Sequence, residues 1–180
     1  MSVRACMGIR SGEDDKGTIS VGGVTVHGSP DVRFNSFTDF ESDICGILKL
    51  IVVTEVKQFE ALRGDYNEGT FIASNISSRV LGQHGIELLM ERSDSFFLPG
   101  IAGMICMGTK IVFTYLFIKE SHYVKILEKG PDIDDTLKST ILYTRPYDYM
   151  DMRDRNEILE SFFWFGFVQS SAYKAYMFEV

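Results

Sequence analysis

Cysteine is scarce and scattered: Cys6, Cys45 and Cys106 are all there is, an odd number with no CxxC pair. Such a set argues against a disulfide framework and against a zinc site, so free thiols in a reducing compartment are expected. The N-terminus, MSVRACMGIRSGEDD, lacks the apolar stretch of a secretory signal. Long apolar runs are also missing. Leu98 to Ile118 is the one stretch of membrane-spanning length, but Gly100, Gly103 and the Met107-Gly108-Thr109-Lys110 break divide it into two strands and a turn. Basic charge is in deficit, with 18 Lys and Arg against 25 Asp and Glu and a net charge of −7. That balance opposes avid, unspecific attachment to nucleic acid, which depends on neutralising phosphates. It does not oppose catalysis in an acidic, metal-loaded pocket. Repeats and low-complexity tracts are absent, so one domain is the economical reading, soluble and intracellular, in cytoplasm or nucleus.

What is present is ordinary globular material. Apolar residues make up 45% of the 180, and fourteen Phe with eight Tyr supply bulk for a core. Residues 1–16 are polar and are expected to form a flexible tail ahead of a domain over 17–180. Thr18–Val21 and Val24–Val26 flank Gly22-Gly23, a two-residue hairpin signal. Pro30-Asp31-Val-Arg-Phe34 opens another strand. Gly46–Val56 (GILKLIVVTEV) reads as a central strand covered on both faces, with Lys49 its interior charge. A loop over 64–69 and a helix over 70–91 come next, then the apolar hairpin of 100–118, a short strand over 122–127 and an acidic turn at 131–135. A closing helix over 154–176 has Ile158, Leu159, Phe162, Phe163 and Tyr173 as its expected buried face.

The chemistry gathers where the central strand ends. Side chains alternate along a strand, so Glu55 and Lys57 share a face, about 7 Å apart. Asp31 stands 24 residues earlier, at the start of a strand that could pair with this one. Two converging carboxylates suit a hard divalent cation, which acts as a Lewis acid on phosphoryl oxygen and lowers the pKa of a bound water. A neighbouring ammonium stabilises the charge developing in phosphodiester hydrolysis.

On Pro30-Asp31, and on Glu55-Val56-Lys57 closing the strand Ile-Val-Val-Thr-Glu-Val-Lys, the sequence resembles the PD-(D/E)XK nuclease superfamily. Within it the likeness is to the nuclease modules of eukaryotic effector and mobile-element proteins. The resemblance covers about residues 20–127, including the hairpin from Pro99 to Phe113. It implies a restriction-endonuclease-like α/β fold, a mixed β-sheet flanked by helices, acting on DNA or RNA with Mg²⁺ or Mn²⁺. By the resemblance, Asp31, Glu55 and the Val56 carbonyl bind metal and Lys57 positions the attacking water. Gln83 is the candidate for a glutamine that many members carry on the following helix. His27, four residues before Asp31, could line the same cleft.

Other readings compete. Asp31 could be a turn residue and Glu55 with Lys57 a surface pair. The fold could be a catalytically inactive nuclease serving as a nucleic-acid or protein interaction module. An unrelated interaction domain, favoured by the acidic charge and the aromatic C-terminal helix, requires Asp31 to lie far from Glu55. His84 and His122 suggest no triad and read as hydrogen-bonded structural residues. Pro131-Asp132 with Asp134 and Asp135 reads as a solvated turn. Tyr143, Arg145, Tyr147 and Tyr149 could stack bases, against the acidity of Asp148, Asp151 and Asp154. Phe162-Phe163-Trp164-Phe165 reads as a packed helix face, or as the surface of a homodimer or a protein partner.

Overall fold

A computed structural model describes residues 7–11, 17–36, 50–57, 76–130 and 139–168. Strands β2 (Gly17–Val21) and β3 (Val24–Gly28) form the expected hairpin. Its turn needs positive φ at two successive residues, which Gly22 (57°) and Gly23 (80°) supply. The remaining strands make one sheet in the order β1 (Met7–Ser11), β4 (Val32–Ser36), β5 (Leu50–Lys57), β6 (Gly100–Met107), β7 (Lys110–Phe117), β8 (Thr140–Tyr143), with β9 (Tyr147–Asp148) pairing the other end of β7. β5 and β6 are parallel and the other pairs antiparallel. A parallel pair needs a crossover, and helix α1 (Ser78–Glu91) lies within it.

The sheet is covered on both faces. On one, Val80 and Leu88 of α1 pack over Ile105, Met107 and Val112 and over Ile101, Leu116 and Ile118 respectively. On the other lies α3 (Met152–Phe167), whose Ile158 is buried with Val52, Ala102, Met104 and Phe113. Each of these large side chains gains about 1.5–3 kcal/mol by leaving water. The β2–β3 hairpin packs beside α1, where a Cβ on Gly28 would stand 3.0 Å from the sulfur of Met90. Its tip seats on the end of α2 (Glu120–Lys129) through a hydrogen bond from the Gly22 N–H to the Leu127 carbonyl, 2.8 Å. The chain is thus a mixed α/β protein.

Several expectations need correction. Met7–Ser11, assigned to a flexible tail, forms a strand, because the free edge of β4 satisfies its backbone. Of the helix expected over 70–91, the described part starts at Ser78, where the Ser77 hydroxyl accepts from the Val80 N–H at 3.4 Å and caps it; residues 70–75 lie outside the described residues. Residues 122–127 are helical rather than extended. Tyr123 and Ile126, three apart, dock on the Leu88–Ile101 cluster, and Gly130 ends the helix with φ of 60°. On α3, Ile158 and Phe162 face inward as expected, but Leu159 and Phe163 are 60% and 52% exposed. Strands β8 and β9 were not expected. Lys49, the 64–69 loop, the 131–135 turn and Tyr173 lie outside the described residues. Among the described residues, no helix is long and apolar enough to cross a membrane.

Candidate functional site

β3 ends at Gly28, and Ser29-Pro30 turns the chain into β4. Pro30 is buried and Asp31 exposed. Val32 pairs with Thr54 in the antiparallel ladder, so position 31 stands level with position 55. The Asp31 Oδ2 accepts the Val56 N–H at 2.7 Å. Pro30-Asp31 and Glu55-Val56-Lys57 are therefore one locus, and the arrangement that would have kept Asp31 away from the end of β5 does not occur. A carboxylate fixed in this way by a backbone donor is oriented through one oxygen and keeps the other for a ligand.

Along β5 the chain emerges from the core. Val52 is fully buried, Thr54 is 2% exposed and Val56 50%. Of Glu55 and Lys57 the backbone is described and the side chains are not. Their parallel register sets position 55 beside Ile105 and position 57 beside Met107, two residues of the cluster that Val80 of α1 covers.

The accessory candidates meet. His27 on β3 and Gln83 on α1 line one cleft of about 280 Å³, together with Val26, Gly82, Ile86 and Glu87. The Gln83 Nε2 donates to the Glu87 Oε1 at 3.0 Å, and Glu87 is 1% exposed. The helical turn carrying Gln83 runs above the last rows of β5. Val80 covers Ile105, the neighbour of position 55. His84 lies on Gly103, the neighbour of Val53, so closely that a Cβ there would stand 2.8 Å from the ring. An ion pair between Arg33 and Glu91, at 2.5 Å and buried on both sides, joins the strand that starts just after Asp31 to the end of α1. Sequence reasoning missed Glu87, Arg33 and Glu91. The signal for Glu87 was an acid four residues after Gln83 on a largely apolar helix.

Several other titratable groups make structural contacts. His84 Nε2 lies 2.8 Å from the Thr114 Oγ1, and burial pulls its pKa down to about 4, leaving it neutral. His122 Nδ1 meets the Ser139 Oγ at 2.6 Å. Burial pushes the Cys106 thiol up to about 11, which removes it as a nucleophile near neutrality. Arg145 stacks 4.3 Å over Tyr147 and bonds Asp154 (2.7 Å) and Glu157 (3.2 Å). The Asp154 hydrogen bond raises the pKa of Arg145, and Arg145 in turn holds Asp154 low. This tyrosine-rich corner therefore presents an internally engaged cation, which argues against its use as a platform for nucleic acid.

Among the described residues no three His, Cys, Asp or Glu side chains are grouped to hold a metal ion. The side chain of Glu55 lies outside that set. No protein-family model matches the chain, no curated protein matches it, and no solved structure matches it.

Proposed function

We propose that the chain is a restriction-endonuclease-like, PD-(D/E)XK-type nuclease that hydrolyses DNA or RNA phosphodiester bonds with Mg²⁺ or Mn²⁺. The observation that carries this reading is the 2.7 Å hydrogen bond from Val56 N–H to Asp31, which joins the two halves of the motif at an exposed strand end. The elements after the motif support it: a helical crossover into a parallel strand and then a hairpin.

The donor chemistry fits a hard divalent cation. Asp31 has an oxygen left after its backbone bond, and Glu55 and the Val56 carbonyl are the further oxygen donors at the same locus. These three would hold the ion. Bound there, the ion supplies Lewis-acid stabilisation and makes a coordinated water more acidic. The rest belongs to the chain. Val56 N–H keeps the Asp31 carboxylate aimed, and Lys57 would supply a compact positive charge to phosphoryl oxygens that gain negative charge.

The test is a cleavage assay on mixed DNA and RNA with Mg²⁺, Mn²⁺ or chelator, together with melting temperature against metal for wild type and Glu55→Gln. Cleavage should require metal. The wild type should melt higher with metal, because an ion bound by the folded state alone stabilises it, and Glu55→Gln should gain less. Equal gains would place the ion elsewhere.

A second reading is a catalytically inactive nuclease-like fold that binds nucleic acid or a protein. The exposed Leu159, Phe163 and Trp164 on α3 favour it, as a surface for a second copy or another protein. That reading gives no cleavage under any metal.

A further inference from the structure

We infer that the cleft between β3 and α1 receives one unpaired nucleobase of the substrate strand, beside the phosphodiester held at Asp31, an inference that rests on the nuclease reading above. The cleft measures about 280 Å³, at the small end for ligand pockets and suited to one ring system rather than a base pair. Val26 and Ile86 give it apolar walls, and Gln83 and His27 give it polar edges. The Gln83 amide spends one N–H on Glu87 and is thereby oriented, leaving its other N–H and its carbonyl oxygen as an adjacent donor and acceptor. That pair matches the edge of a base, which is how a side-chain amide reads one. His27 is exposed on the opposite wall, where an imidazole can stack on a base.

Gly82 is the second, independent observation. It lies inside α1, where glycine costs roughly 0.5–1 kcal/mol relative to alanine. Neither backbone nor packing asks for it: its φ is not positive, and a Cβ there would meet no atom within 4 Å. Glycine at this position keeps the mouth of the cleft open. Position also matters, because Asp31 is four residues from His27 along the chain, and the turn holding Gln83 overlies the rows of β5 that end in the motif.

The experiment uses the full chain, wild type and Gly82→Leu. Fluorescence anisotropy is measured with short labelled single-stranded DNA and RNA and with an abasic oligomer of equal length, alongside cleavage of the same strands in Mg²⁺ or Mn²⁺. Wild type should bind the base-bearing strands about 5–150-fold more tightly than the abasic one, the range expected for one stacked base. Gly82→Leu should melt no lower than wild type and lose that preference, while its affinity for the abasic strand is unchanged. Wild type that does not distinguish the strands, or binds none of them, overturns the inference, as does a Gly82→Leu protein that keeps the preference. If the preference is lost as expected and neither protein cuts, the cleft stands and the nuclease reading falls. If both cut base-bearing and abasic strands alike, the nuclease reading stands and the cleft assignment falls.

Discussion

Beneath α3 the sheet is closed by rings. Phe113 lies 5.9 Å from Phe162, 6.1 Å from Phe165 and 6.0 Å from Tyr147, and Phe34 stands 5.7 Å from Phe162. Beneath α1 the same sheet is closed by aliphatic side chains interrupted by buried polar ones: His84 on Thr114, Glu91 on Arg33, Glu87 on Gln83. Rings cohere through apolar area and edge-to-face contact. Buried polar and ionic pairs repay desolvation poorly and add little net stability. What they add here is position, since Glu91 ties α1 to β4 and His84 ties it to β7, while the bond between Glu87 and Gln83 orients the amide on α1 itself. Both faces bury apolar side chains, one through rings and the other through aliphatic groups with polar pairs among them, and the candidate site lies on the α1 side.

The largest effect on stability should come from the ring face. Phe113→Ala removes the ring that three others touch, and should cost about 3–5 kcal/mol in chemical denaturation. Motif geometry should survive it, so any metal-dependent cleavage that remains should track the folded fraction. Loss of turnover in fully folded Phe113→Ala protein would mean the two faces are coupled.

The polar face should reveal itself through pH. Unfolded, His84 takes a proton near pH 6.5; folded, its pKa is about 4. Between these values the unfolded state binds more protons, so stability is full above pH 6.5 and declines toward pH 4. The whole decline attributable to His84 is about 3 kcal/mol. The difference between wild type and His84→Gln, measured by denaturation at several pH values, isolates it. A His84→Gln protein with the wild-type slope would show that His84 is not the titrating group.

The smallest effect belongs to the outer side of α3. Phe163 is 52% exposed and lies 6.1 Å from Phe167, nearly parallel to it. Phe163→Ser should change stability by no more than about 0.5 kcal/mol. A larger loss would mean that this side of α3 is also packed against the rest of the protein.

The elements read correctly from sequence are those whose signals are local. Gly22-Gly23 writes its own turn, Gly108 breaks 100–118 at a positive φ, and the apolar run ending in Thr-Glu-Val-Lys marks a central strand. Met7–Ser11 carries no such signal, because its strand exists through β4, more than twenty residues away. His122–Leu127 was misread because a short apolar run suits either period until its partners are known. Leu159 and Phe163 fit an inward stripe equally well, and the rotation of α3 about its axis decides against them. Of the candidate site, Asp31 and the end of β5 were legible through spacing. The cleft was legible only as two separate residues, since Glu87 and the Arg33–Glu91 pair depend on contacts that no local window contains.

Whether Asp31, Glu55 and Lys57 form a site that breaks phosphodiester bonds is decided by single-turnover cleavage with Lys57→Ala. On the proposed reading the Lys57 ammonium would act chiefly in the transition state, so its removal should leave melting temperature and the metal-induced gain in stability nearly unchanged. Cleavage should slow by about 100-fold or more, the loss typical of one preorganised electrostatic group. Lys57→Arg should restore it only in part, because a planar guanidinium does not reproduce a compact point charge. A wild type that cuts neither DNA nor RNA in Mg²⁺ or Mn²⁺, or a Lys57→Ala protein that cuts as fast as wild type, would show that these three residues do not perform the chemistry.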